Sequence, residues 1–252
     1  MNTKPLEQQK KQSIGFIPAH LASKRLPNKV LLPLGDNSIL ERVYRRACLS
    51  NLDQVKVVTD SEDVYQHVID FGGQCILSST YSNGTKRCVH TYLKEKFTED
   101  ILINIQADEP FIDPNDINAL IQLISRHQEP IIGTLGFLST DLDQYNDPNV
   151  VKIALDQNQR AMYFSRSAIP HYRDHMPHTP IRFVKHKGVY GFHAGLLSQI
   201  ASLDTSPLES SEKLEQLTWL FHDLPVYVEL TEHDSSGIDT PEDYQLALQS
   251  IT

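Results

Sequence analysis

The stretch Ile101–Pro110 reads Ile-Leu-Ile-Asn-Ile-Gln-Ala-Asp-Glu-Pro and sets two acids at the end of an apolar run. Ile101 to Ile105 is apolar except for Asn104, the pattern of a central strand. Pro110 has no amide to donate, so the strand stops there. Gln106 and Asp108 are thereby delivered to the strand's carboxyl end, where open α/β sheets bind ligands. A carboxylate at that point can hold a hard cation that bridges phosphate oxygens. It can equally serve as a turn residue or a helix cap.

A second candidate lies near the start of the chain. Ser13–Ala19 reads as a first strand and runs into His20–Lys29, a loop holding Lys24, Arg25 and Lys29. Arginine suits bidentate phosphate contacts and lysine supplies a compact point charge. The spacing is not that of a Walker loop. A solvated basic turn is the plain alternative.

The third lies near the far end. Thr240-Pro241-Glu242-Asp243 has a capping threonine, a proline at the first helical position and two acids in the first turn. Asp239 falls one residue outside that helix and is free for a ligand. If Asp108 and Asp239 converge unpaired, neutralising one should relieve repulsion and raise the melting temperature.

These residues need a scaffold. The chain has 252 residues and 40% hydrophobic content, enough for one large cored α/β domain. Its net charge of −9 argues against broad nucleic-acid binding, although clustered cations can still meet a small anion. Three cysteines, Cys48, Cys75 and Cys88, show no CxxC pattern, so the expected compartment is a reducing cytoplasm. No run approaches 18 apolar residues, so no membrane insertion is expected. Met1–Gln12 is polar and reads as a tail, followed by a single domain over residues 13–252.

Strand and helix patterns alternate, which predicts a mostly parallel sheet with helices on both faces. The expected strands are Ser13–Ala19, Gln54–Thr59, Gln74–Ser78, Ile101–Gln106, Ile131–Leu138, Val150–Asp156, Lys187–His193 and Val226–Leu230. Ser38, Ser61 and Asp113-Pro114 should start helices that bury Ile39, Leu40, Val43 and Ala47; Val64, Val68 and Ile69; and Ile117, Leu120, Ile121 and Ile124. Gly72-Gly73 should end the second. Leu208–Phe221 reads as one further helix, and Leu138–Pro148 as a polar turn. Ser165–Lys187 is rich in cations and histidines and reads as an excursion suited to a substrate lid or subunit contact. His171, His175 and His178 lack an HExxH pattern or cysteine partners and read as loop histidines.

Six blocks in order resemble the CMP-Kdo synthetase family, the 3-deoxy-manno-octulosonate cytidylyltransferases. Ile17–Lys29 matches the family's I-P-A-R-x-x-S-x-R-L-P-G-K, and Gln106–Pro110 its Q-G-D-E-P. Ala161–Arg166, Lys185–Tyr190, Leu214–Leu217 and Gly237–Asp243 complete the set. The sequence departs from the family at His20 (arginine), Asn28 and Ala107 (glycines), Asn83 with Lys86 (S-G-T-D/E-R), and Thr218 (arginine).

The resemblance implies a nucleotide-diphospho-sugar-transferase-like fold and this reaction: CTP plus the sugar acid Kdo, or a close variant, gives CMP-sugar and pyrophosphate for lipopolysaccharide synthesis. It implies Mg²⁺ on Asp108 and Asp239, and Arg25, Lys29 and Asp108 as the catalytic set. Ala19, His20, Ser23, Arg25, Lys29, Asn83, Gly84, Arg87 and Gln106 would bind nucleotide. Gln106, Arg166, His186, Tyr190, Glu215 and Gln216 would bind sugar, Arg166 gripping the carboxylate. It also implies a homodimer. Two other readings stay open: a nucleotidyltransferase for an unrelated sugar or polyol, and a degenerate paralogue that binds nucleotide or a partner without turnover, which His20 and Thr218 favour.

Overall fold

Alternation along the central strands splits the core into two layers. The computed structural model describes residues 11–23, 25–173, 180–234 and 237–251. In β1 (Ser13–Ala19), Ile14 and Phe16 face one layer while Ile17 and Ala19 face the other. The same switch separates Val58 from Val55 and Val57 in β4 (Gln54–Thr59). It separates Leu102 from Ile101 and Ile103 in β6 (Ile101–Asn104). Successive side chains of a strand point to opposite faces, so both faces of these strands must be covered.

One layer is built from α1 (Ile39–Ala47), α2 (Glu62–Asp70) and α4 (Pro114–Arg126). The other uses α3 (Gly84–Lys94), α6 (Leu197–Ser202) and α8 (Gln216–Phe221). Their caps are local. The hydroxyls of Ser38 and Ser61 accept from the amides of Glu41 and Val64, and the Asp113 carboxylate accepts from Asn115. Gly72, at φ +80°, turns the chain away after α2.

A hairpin of two-residue strands, β2 (Pro33–Leu34) and β3 (Asn37–Ser38), precedes α1. The main sheet adds β5 (Cys75–Leu77), β7 (Ile132–Ser139), β8 (Lys152–Leu155), β9 (Ala161–Ser165), β10 (Phe183–His193) and β11 (Val226–Thr231). Its order is β11-β7-β10-β6-β1-β4-β5, with β8 on the outer part of β10 and β9 beyond it. The pairs β4–β5, β1–β4, β1–β6 and β7–β11 are parallel, while β10 runs antiparallel between β6 and β7. The remaining helices are α5 (Leu142–Asn146), α7 (Pro207–Glu212) and α9 (Pro241–Ser250).

Several elements differ from their sequence expectation. The strand expected over Lys187–His193 begins at Phe183, so part of the predicted excursion is regular sheet. Charged Lys185 and Lys187 hide its alternation. The helix expected over Leu208–Phe221 is two helices, because Lys213 adopts a left-handed φ of 55° between them. Ile69 lies 43% exposed rather than inward. Gly84–Lys94 forms a helix that the sequence pattern does not announce; its buried positions include Thr85, Arg87 and Thr91, which mask the apolar period. Strand β9 and helices α5 and α6 were too short to stand out. Residues 1–10, His175 and His178 lie outside the described residues, and His171 is exposed.

α4 presses close onto the antiparallel strand. A Cβ on Gly191 of β10 would sit 2.5 Å from Ile124 Cδ1 and 2.9 Å from Ile103 Cδ1. Overpacking a filled core typically costs about 1–3 kcal/mol. Gly191→Ala should therefore lower the unfolding free energy by that amount in chemical denaturation, and an unchanged midpoint would show that α4 yields freely.

Candidate active site

The ends of β1 and β6, the loop before α9 and the start of α3 meet above the parallel half of the sheet. The loop after β1 reverses at Asn28, which takes φ 53° and ψ 25°. Glycine enters that region without cost and asparagine tolerates it, so the departure from the family glycine keeps the backbone path. The turn sends Lys29 inward, where its side chain is 11% exposed. Its ammonium contacts Asp108 Oδ2 and lies 2.7 Å from Asp239 Oδ1. Arg25 reaches the other oxygen of Asp239 at 3.0 Å.

The two predicted carboxylates therefore converge on one cation, and they are not an unpaired cluster. Burial opposes the charge on Lys29, but Asp108 and Asp239 outweigh it and hold the ammonium above the usual lysine range. Burial likewise pushes Asp239 upward, but Lys29 and Arg25 outweigh it and hold the carboxyl below its ordinary value. The condition for a rise in melting temperature on neutralising an aspartate, an unpaired cluster, is therefore not met. A depressed carboxyl stabilises the fold at neutral pH and loses that contribution as the pH falls through its pKa.

Asp239 keeps its freedom from capping. Thr240 caps α9, and the Asp243 carboxylate accepts from the amides of Thr240 and Asp239. The Ile238 amide donates to the Asp108 carbonyl at 2.8 Å, which binds the two acid-bearing loops to one another.

A cavity of about 330 Å³ opens over this centre and is lined by His20, Ser23, Arg25, Lys29, Gly84, Gln106, Asp108 and Asp239. An adjoining cleft of about 400 Å³ shares His20 and Gly84 and adds Asn83 and Arg87. Asn83 caps α3 by accepting from the Lys86 amide at 2.8 Å, so the positive end of an 11-residue helix borders both spaces. Gly84 is required by Pro18, whose Cγ would lie 2.9 Å from an added Cβ. Arg87 is only 4% exposed. It donates to the carbonyl of Ala19 at 2.7 Å and pairs with Asp60 at 2.8 Å. It thus pins the point where β1 becomes the basic loop. Lys24 lies outside the described residues.

On the other side of Gln106 lies a larger cavity of about 640 Å³, lined by Arg166, His186, Tyr190, Glu215, Gln216 and Lys213 among others. A bulge in β10 between Lys187 and Tyr190 shapes its floor. Gln106 donates to the bulge carbonyl of Gly188 at 3.0 Å and so spans the two cavities. Thr134 Oγ1 lies 2.8 Å from the Val189 carbonyl and 2.9 Å from His186 Nε2. If the hydroxyl donates to the carbonyl, His186 must donate through Nε2. Burial pushes the His186 pKa down to about 3, so the ring is neutral at physiological pH. Tyr190 packs edge-on to Trp219 at 4.9 Å, and burial raises its hydroxyl pKa well above the usual value.

Arg166 lines this cavity but is partly committed, donating to the carbonyls of Glu212 and Pro148 at 2.8 and 3.0 Å. Glu215 and Gln216, at the start of α8, both line this cavity, although adjacent helical residues point about 100° apart. Gln216 is 2% exposed, and its Nε2 has no partner among the described residues. The Glu215 carboxylate accepts from Thr85 at 2.6 Å. Thr218, which stands where the family has arginine, hydrogen-bonds Glu209 and accepts from the Ser206 amide at 2.9 Å. It joins α7 to α8 and does not border the large cavity.

A family model described as cytidylyltransferase matches residues 14–226. A 3-deoxy-manno-octulosonate cytidylyltransferase of Fusobacterium nucleatum is 38% identical over 240 residues, covering 94% of this chain and 96% of its own length. The enzyme of that name from Parabacteroides distasonis is 39% identical over 245 residues, covering 93% and 96%. The chain belongs to the 3-deoxy-manno-octulosonate cytidylyltransferase family. A solved CMP:2-keto-3-deoxy-manno-octonic acid synthetase complexed with CTP superposes with a TM-score of 0.89 at 31% identity, covering 95% of this chain and 98% of that one.

Sequence reasoning within this family missed Glu109 as a distinctive group. It is 9% exposed, and its Oε2 has no partner among the described residues. Burial, reinforced by Asp108, lifts its carboxyl to about 7. The acid beside Asp108 in the motif was the available signal, but its burial was not legible.

Burial also lifts Glu215 to about 7 from an ordinary 4.5, against the opposing hydrogen bond from Thr85. Between those pH values the folded state holds a proton that the unfolded chain has lost, so this group's contribution to stability falls as pH rises. Glu215→Gln removes that dependence and can still accept from Thr85. Its stability relative to the native protein should improve by roughly 1–3 kcal/mol from pH 4.5 to 7.5. Parallel denaturation curves would show that Glu215 titrates normally.

Proposed function

We propose that this enzyme transfers the cytidylyl group of CTP to the anomeric hydroxyl of 3-deoxy-manno-octulosonate or a close ulosonic acid, releasing pyrophosphate, in lipopolysaccharide synthesis. The observation that carries the reading is the Lys29–Asp108–Asp239 centre in one cavity, joined through Gln106 to a second cavity with cationic and hydrogen-bonding walls. Curated relatives bear the name of this activity over nearly their full length.

Attack on the α-phosphorus builds charge on phosphate oxygens and on the leaving pyrophosphate, so rate depends on positioning and electrostatics. Arg25 and Lys29 supply fixed positive charge, with Ser23 and the α3 amides as further donors. Gln106 sits where the nucleotide and sugar spaces meet and orients the two. His20, exposed at the entrance, supplies one ring donor where the family has a guanidinium. In the larger cavity Arg166 is the carboxylate partner, neutral His186 and Gln216 are donors, and Glu215 and Tyr190 read hydroxyls.

The donor set suits a hard divalent cation. Two carboxylates of separate loops converge on one ammonium, and Mg²⁺ takes one or two carboxylates with phosphate oxygens and water. Asp108 and Asp239 would hold it, and once bound it neutralises charge developing on the phosphates. Among the described residues no helix is long and apolar enough to cross a membrane. We place the enzyme in the cytoplasm as a homodimer formed by one domain over residues 13–252, with residues 160–190 contributing substrate or subunit contacts.

Lys29→Ala removes a charged hydrogen-bond donor worth roughly 1.5–3 kcal/mol, so CTP affinity should fall about ten- to hundred-fold by calorimetry. Asp108→Asn and Asp239→Asn should each depress pyrophosphate release and shift its Mg²⁺ dependence upward, with lower rather than higher melting temperature. Native turnover in either variant would remove that residue from the metal centre. CTP binding without turnover on any sugar acid would favour the degenerate-paralogue reading.

Light scattering at micromolar concentration should give twice the chain mass. A monomer would reject the dimer.

A further inference from the structure

Beneath the carboxylate centre lies a buried ion pair with no counterpart among the predicted site residues. Lys187 of β10 and Asp116 of α4 have side chains 1% and 3% exposed, and their charged atoms lie 2.5 Å apart. Lys187 makes one further link and Asp116 makes two, one of them from Oδ1 to His233 Nδ1 at 3.6 Å. Lys187 Nζ donates to the carbonyl of His233 at 2.8 Å. Asp116 Oδ1 accepts from the Thr231 hydroxyl at 2.5 Å, and that oxygen in turn accepts from the His233 amide at 3.1 Å.

Three elements are joined by this network. β10 carries the bulge that floors the larger cavity. The first turn of α4 follows directly on the loop bearing Asp108 and Glu109. The end of β11 leads to Gly237 and Asp239, and Ile238 is tied back to the Asp108 carbonyl at 2.8 Å. Lys187 touches neither Asp108 nor Asp239, yet it fixes the elements on which both stand.

Stability alone does not account for the pair. Desolvating two charges costs several kcal/mol per ion, and apolar replacements of similar volume are often equally stable. What an apolar pair lacks is directed attachment to the His233 carbonyl and the Thr231 hydroxyl.

We propose that Lys187, through its buried pair with Asp116, sets the spacing of Asp108 and Asp239 and thereby fixes the affinity of this centre for a divalent cation. Lys187 is thus a positioning residue. The inference rests on the metal reading above.

The test is a Mn²⁺ titration of the full chain, with free ion counted by paramagnetic resonance, below the melting temperature of every variant. Lys187→Met alone would strand a buried carboxylate, so the informative variant is Lys187→Met/Asp116→Leu. It should melt near the native temperature yet bind Mn²⁺ about tenfold more weakly. Thr231→Val, which keeps the ion pair and removes one link, should show a smaller loss of affinity in the same direction. Native Mn²⁺ affinity in the folded double variant overturns the proposal; if that variant does not fold, native affinity in Thr231→Val overturns it instead. Asp108→Asn and Asp239→Asn report on the metal reading separately. If the native protein binds no Mn²⁺ that these two variants abolish, both the metal centre and the role of Lys187 fall.

Discussion

The ammonium of Lys29 holds the site together. It bridges two carboxylates from loops separated by 131 positions of chain, Asp108 and Asp239, with Arg25 supplying the second positive charge, and without cations those acids would repel one another. The surrounding structure can be read as the means of bringing three charged side chains to one point. Asn28 takes the left-handed turn that sends Lys29 inward. β6 ends at Asn104, short of the stop expected at Pro110, and Asp108 stands in the turn that follows. Thr240 caps α9 so that Asp239 need not.

The same centre explains how two chemically different spaces can adjoin. Toward the start of α3 and the basic loop, the environment suits anionic phosphate. Across Gln106, the walls are a mixture of neutral donors, raised carboxyls and aromatic edges, suited to a hydroxylated ring. Burial does much of this sorting. It keeps His186 neutral and lifts the carboxyls of Glu215, which lines the larger cavity, and of Glu109 to about 7.

The departures from the family pattern sort into different kinds once placed in the fold. Asn28 preserves a backbone conformation. Thr218 joins two short helices through Glu209 and Ser206 and stands one residue behind the larger cavity, in contact with its wall residue Glu209. His20 lines the cavity above the basic loop, as Ala107 does, and borders the adjoining cleft with Asn83; of these three departures only His20 replaces a guanidinium and so alters charge directly. Lys187 and Asp116, neither of them a predicted site residue, form a buried pair that ties β10 to α4.

Much was legible in the sequence because it depends on local chemistry. Continuous apolar runs marked the central strands, serine, aspartate and threonine caps marked α1, α2, α4 and α9, and the Gly72-Gly73 pair marked where α2 ends. The charged residues of the site could be named because six short blocks retain their order. What required the tertiary structure was everything set by contacts distant in sequence. Arg87 is turned from a ligand candidate into a brace for Ala19 because Asp60 lies beside it. Leu208–Phe221 is two helices because Lys213 turns left-handed, where propensity alone would continue one. Asp108 and Asp239 are a paired centre rather than a strained one because the chain between β1 and α1 supplies Lys29, and pairing energy depends on separation through space, which spacing along a chain does not determine.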